Sequence, residues 1–243
     1  IKQVIEEQGA ENIAALIAEP IQGNGGIITP PLWYFKELKA LLEQHDILLL
    51  IDEVQTGFAR TGKMFAIENY GVVPDIMTVA KALGNGMPIS AFCTNDEIAK
   101  AFTKPSASTL GGNPVSSATA MAVLDYIEKN NLCERSEYLG AILKQKLELL
   151  KEKHPIIKEV RGLGLMLGAE LVKDEVLDLD LQNDIKTIKC KNSIYKTKAI
   201  IIATGSKHKK LNIDREDEFL GKGLSYCAIC DGHLFEDLDV YAA

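Results

Sequence analysis

Apolar and polar positions alternate along the chain in two rhythms. "NIAALIAEP" at 12–20, "ILLLIDEVQ" at 47–55 and "DIMTVA" at 75–80 are short, nearly continuous apolar runs, the pattern of strands buried on both faces. "ISAFCT" at 89–94 reads as a fourth strand. Residues 2–8 read as the end of a helix, and Pro30 and Pro31 open another whose Phe35, Leu38, Leu41 and Leu42 fall at helical spacing. After "GGNP" at 111–114, Ala118, Met121, Leu124 and Ile127 mark one helix face, and Leu139, Ile142, Leu143, Leu147 and Leu150 mark a second. "VRGLGLMLGAELV" at 160–172 alternates as a single strand. Strands alternating with helices predict an α/β fold, a mostly parallel sheet with helices on both faces.

From about Glu175 the pattern changes. "VLDLDL", "IKTIKC" and "SIYKTKAIIIATG" are short β-like segments joined by polar turns, with no amphipathic helix between them. The expected organisation is therefore two regions, 1–174 and a β-rich 175–243. No flexible linker marks the join, so the boundary rests on the change of pattern alone.

Bulk composition narrows the partners. A chain of 243 residues, 47% apolar and 25% charged, can build a sizeable core. Its net charge of −7 opposes a general grip on phosphate backbones, so nucleic acid is not an expected partner. The longest aliphatic runs, "ILLLI" and "AIIIA", are too short to span a bilayer. The opening "IKQVIEEQGAE" has neither an initiating Met nor the layout of a signal peptide, and reads as the interior of something longer. Five cysteines at irregular spacing fit reduced thiols in the cytoplasm rather than a disulfide framework.

The strand ends carry candidate chemistry. Asp52 closes one buried run and Lys81 follows the next, at the sheet edge where open α/β sheets bind ligands. A carboxylate there can keep a pyridine nitrogen protonated, and the amine can form a Schiff base with a carbonyl cofactor; Gln55 would stand beside the ring. Taken singly, Asp52 also reads as a turn or cap residue and Lys81 as a solvated surface lysine. "RGLGLMLG" comes close to a dinucleotide fingerprint, but no helix follows it, and its glycines read as close-packing positions.

"AEPIQGNGG", "LLLIDEVQTGFARTGKMF", "PDIMTVAKALGNGMP", "STLGGNPVSSATA" and "VRGLGLMLGAEL" together resemble the class III, fold-type I aminotransferases, over residues 1–174. The resemblance implies pyridoxal 5'-phosphate as cofactor, transamination between an amino donor and a 2-oxo acid, and a homodimeric site. It places the Schiff-base amine on Lys81, the pyridinium partner on Asp52, ring packing on Val54 and contact with the ring hydroxyl on Gln55. Thr109 would reach the cofactor phosphate of the neighbouring subunit. Glu19 aligns with an active-site glutamate, with a strand-end turn role as an equal alternative. Branches acting on γ-aminobutyrate and ornithine often carry E-P-x-Q-G-E; Asn24 stands at the last position and leans the expectation towards an alanine–glyoxylate-like or other member.

Cys227 and Cys230 have the spacing of a redox dithiol; half of a zinc site is the alternative, though no second ligand pair lies at matching spacing. "YKTKAIIIATGSKHKKL" and "GKGLSYCAICDG" resemble low-molecular-weight thioredoxin reductases over about residues 175–240. That resemblance implies Cys227 and Cys230 as the dithiol, Asp231 as the proton-managing acid, FAD near "ATG" at 203–205, and thioredoxin as partner. Neither region carries every segment its family uses. The expectation is a chain with little transaminase turnover of its own, with a non-catalytic chimera or a dithiol oxidoreductase as the other readings.

Overall fold

A computed structural model describes residues 1–106, 108–172 and 176–200. The chain divides into two units, Ile1–Lys173 and Asp174–Ala243. In the first, helix α1 (Lys2–Gln8) leads to strand β1 (Ala15–Ala18), helix α2 (Tyr34–Glu43), and strands β2 (Leu48–Asp52), β3 (Ile76–Val79) and β4 (Ala91–Thr94). These strands form one sheet in the order β1-β2-β3-β4, the first three parallel and β4 antiparallel at the edge. The register sets Ile17 beside Leu50, and Asp52 beside Thr78.

Burial follows strand period two. Leu49 and Ile51 of β2 point into a core completed by Phe35, Leu38 and Leu42 of α2, Ile5 of α1, and Ile67 and Tyr70. Tyr70 meets Phe35 edge to face at 4.9 Å and donates its hydroxyl to the Pro20 carbonyl at 3.1 Å. The expectation of full cover on both faces is met only in part, since Ile17 on the opposite face of β1 is 62% exposed. A second core cluster gathers Phe58, Ala59, Val79, Leu83, Ala120 and Ile127.

A short helix α3 (Asp96–Lys100), capped by the Asn95 side chain on the Ile98 N–H, precedes helices α4 (Pro114–Lys129) and α5 (Leu132–Lys153). Their predicted apolar stripes are met in part: Ile127 is buried, and Leu124, Ile142 and Leu147 are half-buried. Helix α4 buries Ser116, Ala120 and Ile127, while Met121 is 61% exposed and Ala118 is exposed. Helix α5 buries Ser136 and Gly140, leaving Leu139, Leu143 and Leu150 exposed. The reason is close backbone packing: a Cβ on Gly140 would lie 2.1 Å from the Gly164 carbonyl oxygen.

The predicted single strand at 160–172 is instead a hairpin of β5 (Ile157–Leu163) and β6 (Met166–Leu171), turning at Gly164 and Leu165. Gly162 at φ +119° and Gly164 at φ +53° adopt backbone that other residues rarely take, which reverses the chain where alternation alone predicts continuation. A Cβ on Gly164 would strike the Arg60–Gly62 backbone, so the glycines serve close approach. In the second unit, β7 (Val176–Asp180), β8 (Lys186–Cys190) and β9 (Ile194–Thr197) form an antiparallel meander. Cys227, Cys230 and Asp231 lie outside the described residues. No helix among the described residues is long and apolar enough to cross a membrane.

Candidate active site

Parallel pairing of β1, β2 and β3 brings three carboxyl ends to one sheet edge. Glu19 follows β1, Asp52 ends β2, and Lys81 lies two residues beyond β3, opening a 3-10 turn over Lys81–Leu83. Asp52 pairs in register with Thr78, three residues before Lys81. The lysine has φ +44°, a left-handed conformation that costs a non-glycine residue on the order of 1–3 kcal/mol and persists where its surroundings over-determine it. Val79 before it and Leu83 after it are both locked in the second core cluster.

Asp52 is half-buried, and its Oδ1 accepts the Val54 N–H at 2.9 Å. Among the described residues no hydrogen bond reaches its other oxygen, which leaves an acceptor for a protonated ring nitrogen. Gln55 is packed against the glycine-rich loop: a Cβ on Gly23 would lie 2.4 Å from its Oε1. Glu19 Oε2 accepts the Gly23 N–H at 3.0 Å, so the structure gives this carboxylate a loop-closing bond at the same edge. Asn24 is exposed within that loop. Thr109 lies in an exposed loop before α4, and no hydrogen bond among the described residues joins it to Asp52, Gln55 or Lys81.

One residue of this edge escaped the sequence reading. Glu53 is 0% exposed and accepts three hydrogen bonds, from the Thr56 hydroxyl, the Ala66 N–H at 3.0 Å and the Ile67 N–H at 2.8 Å. Burial pushes its carboxyl above the ordinary glutamate range, and these donors pull against that rise. The same burial, with the Glu53 charge nearby, holds the Tyr70 phenol up to about 12. Glu53 ties the end of β2 to the 3-10 turn Ala66–Tyr70 and so fixes the backbone that carries Asp52, Val54 and Gln55. The signal was present in the alternation: 49 and 51 point inward, and 53 continues the series.

A carboxylate oxygen without a hydrogen bond among the described residues, an amine beyond the adjacent strand end and a glutamine against the glycine-rich loop are a donor and acceptor set that fits the ring nitrogen, carbonyl and hydroxyl of pyridoxal phosphate. Comparison with known proteins shows the family. The family model for class-III aminotransferases matches residues 1–211, past the boundary read at residue 174. A leucine/methionine racemase of Thermococcus litoralis is 52% identical over 68% of this chain and 38% of its own length. An acetylornithine aminotransferase of Caldanaerobacter subterraneus is 41% identical, over 74% of this chain and 46% of its own. The chain thus spans less than half the length of these curated relatives. Among solved structures, a pyridoxal-phosphate-bound amine transaminase from an uncultivated Pseudomonas species superposes with a TM-score of 0.69 at 41% identity, covering 71% of this chain and 41% of that one. This chain belongs to the class-III aminotransferase family.

Proposed function

We propose that the chain carries the cofactor-facing sheet edge of an enzyme that moves an amino group between an amino donor and a 2-oxo acid. The supporting observation is the placement of Asp52 and Lys81 at adjacent parallel strand ends. Bound pyridoxal phosphate supplies an electron sink next to the substrate Cα. Lys81 Nζ would hold the cofactor at its carbonyl and would serve as the base that takes up the substrate Cα proton. Asp52, with one oxygen on the Val54 N–H, would accept the ring N–H with the other and keep that nitrogen protonated. Val54 would pack on the ring, Gln55 would meet its hydroxyl, and Thr109 would serve the phosphate of a second subunit.

The 52% identity to a racemase supports a second reading at the same residues. Return of the proton to the opposite face of Cα gives the enantiomer, whereas loss of the amino group gives a 2-oxo acid. The dithiol reading of Cys227, Cys230 and Asp231, with FAD and thioredoxin, rests on its sequence motif alone and forms no part of this proposal.

Borohydride reduction in the presence of pyridoxal phosphate, followed by peptide mapping, is expected to label Lys81. Label spread evenly over surface lysines would refute the assignment. Single turnovers with a panel of amino acids, resolved by chiral chromatography with Lys81→Ala as the blank, separate keto acid from enantiomer.

A further inference from the structure

The glycine-rich loop beside the candidate site is held from behind. Its neck is a two-bond bridge, Gln22 N–H to Ile28 carbonyl at 3.0 Å and the reverse at 3.1 Å. At its tip, the N–H groups of Gly26 and Ile27 both donate to the Gly23 carbonyl, at 3.1 and 3.3 Å. Ile27 has φ +56°, a conformation that a β-branched residue resists, so the tip needs outside contacts to keep its shape. On one side those contacts are Glu19 on the Gly23 amide and Gln55 against Gly23.

On the other side stands the β5–β6 hairpin. Arg161 Nε donates to the Gly26 carbonyl at 2.9 Å, and a Cβ on Gly168 would lie 3.2 Å from Ile27 Cβ. The guanidinium is itself fixed, its Nη1 bonded to Glu159 at 3.0 Å and to Glu170, which also pairs with Lys158 at 2.8 Å. Two acids already balance the charges of Arg161 and Lys158. This leaves Arg161 poorly suited to capture a substrate carboxylate and well suited to hold backbone. Only a planar fork grips a carbonyl through one nitrogen and carboxylates through another at fixed angles.

We infer that Arg161 is a positioning residue for the cofactor site, holding the Gly23–Ile27 loop, through the Gly26 carbonyl, in the shape that seats Gln55 and Glu19 at the sheet edge. The inference rests on the function proposed above. Its consequence is a link from the hairpin to the cofactor edge that involves no cofactor contact by Arg161 itself.

The test uses the full chain and three variants: Arg161→Gln, Arg161→Lys and Glu159→Gln. Hydrogen exchange of the peptide spanning residues 20–28 reads the loop, and titration with pyridoxal phosphate, followed by Lys81-dependent absorbance and its pH midpoint, reads the site. Arg161→Gln is expected to speed exchange at Gly23, Gly26 and Ile27 roughly tenfold, equivalent to about 1.4 kcal/mol, and to weaken cofactor affinity by a similar factor. Arg161→Lys keeps the charge and loses the fork, and is expected to recover thermal stability without recovering slow exchange. Glu159→Gln leaves the Gly26 bond in place and is expected to resemble the unsubstituted chain in both readouts. Unchanged exchange in Arg161→Gln would overturn the inference, as would faster exchange with unaltered affinity and pH midpoint. Equal shifts in Arg161→Gln and Glu159→Gln would reduce the effect to general weakening of the hairpin and also overturn it. Absence of Lys81-dependent absorbance in the unsubstituted chain would instead refute the proposed function, and with it the cofactor role of Arg161.

Discussion

Replacing a helical glycine with alanine ordinarily stabilises a protein, by about 1 kcal/mol in an exposed helix interior. Gly140, near the middle of α5, is expected to do the opposite. A Cβ there would stand 2.1 Å from the Gly164 carbonyl oxygen, 2.2 Å from its carbonyl carbon and 2.6 Å from its Cα. All three are backbone atoms, and the turn that owns them cannot retreat. A Cβ on Gly164 would itself lie 2.5 Å from the Thr61 carbonyl carbon, while the Arg60 carbonyl accepts both the Leu165 N–H at 2.9 Å and the Ser136 hydroxyl at 3.0 Å. Relief requires more than 1 Å of separation between α5 and this junction, roughly the gap between 2.1 Å and ordinary contact near 3.5 Å. Overpacking of this kind costs about 1–3 kcal/mol and at rigid sites more, which exceeds the propensity gain. Gly140→Ala should therefore be destabilised by about 1–3 kcal/mol in urea unfolding, with an unchanged m-value. Gln145→Gly, on an exposed part of the same helix, gives the ordinary scale for the propensity term. A Gly140→Ala protein as stable as the parent, or more so, would refute the backbone-contact reasoning.

Glu53 sets a pH signature. Its folded carboxyl is raised by burial, so the folded state binds a proton more readily than the unfolded state between the ordinary glutamate value and the raised one. Stability from this group therefore falls as pH rises through that window and is level above it. Glu53→Gln should flatten this slope and cost about 1–3 kcal/mol, because its NH2 must face a donor that now meets an oxygen; an identical slope in both proteins, by urea unfolding across a pH series, would contradict this. Asp75 receives Lys39 Nζ at 2.7 and 2.6 Å and the Leu49 N–H at 2.7 Å, so Asp75→Ala should lose about 2–3 kcal/mol. Equilibrium unfolding showing a loss under about 0.5 kcal/mol would place the pair among surface ion pairs of little consequence.

The parallel sheet was legible because β1, β2 and β3 are apolar runs that end in chemically distinct residues; strand ends are where such sheets expose function. Asp52 and Lys81 could thus be placed at one edge before any coordinates. The helices α4 and α5 were harder, since periodicity finds large apolar side chains, and of the predicted positions only Ile127 is fully buried, beside Ser116, Ala120, Ser136 and Gly140. Small residues carry little hydropathy signal, and their value lies in letting another backbone approach. The hairpin at 157–171 was hidden for a related reason: alternation continues unbroken through its turn, and only the positive φ of Gly162 and Gly164 reverses the chain. Arg161 was invisible as a site residue because its partner, Gly26, lies 135 positions away and offers only a carbonyl.

The adjacent acids that end β2 carry one last consequence. Asp52 and Glu53 differ by a single methylene, and the pleat sends them to opposite faces of the sheet. The inward one must reach the amides of Ala66 and Ile67, 13 and 14 residues ahead, and takes the longer arm. The outward one bonds the amide two residues on, and takes the shorter. Exchanging the two letters preserves charge, composition and hydropathy, yet leaves the inner carboxylate short of its donors and the outer one overlong for its place. Arm length, rather than acidity, is what fixes the order of this dipeptide, and a single-residue insertion within β2 would scramble it as surely as a transposition.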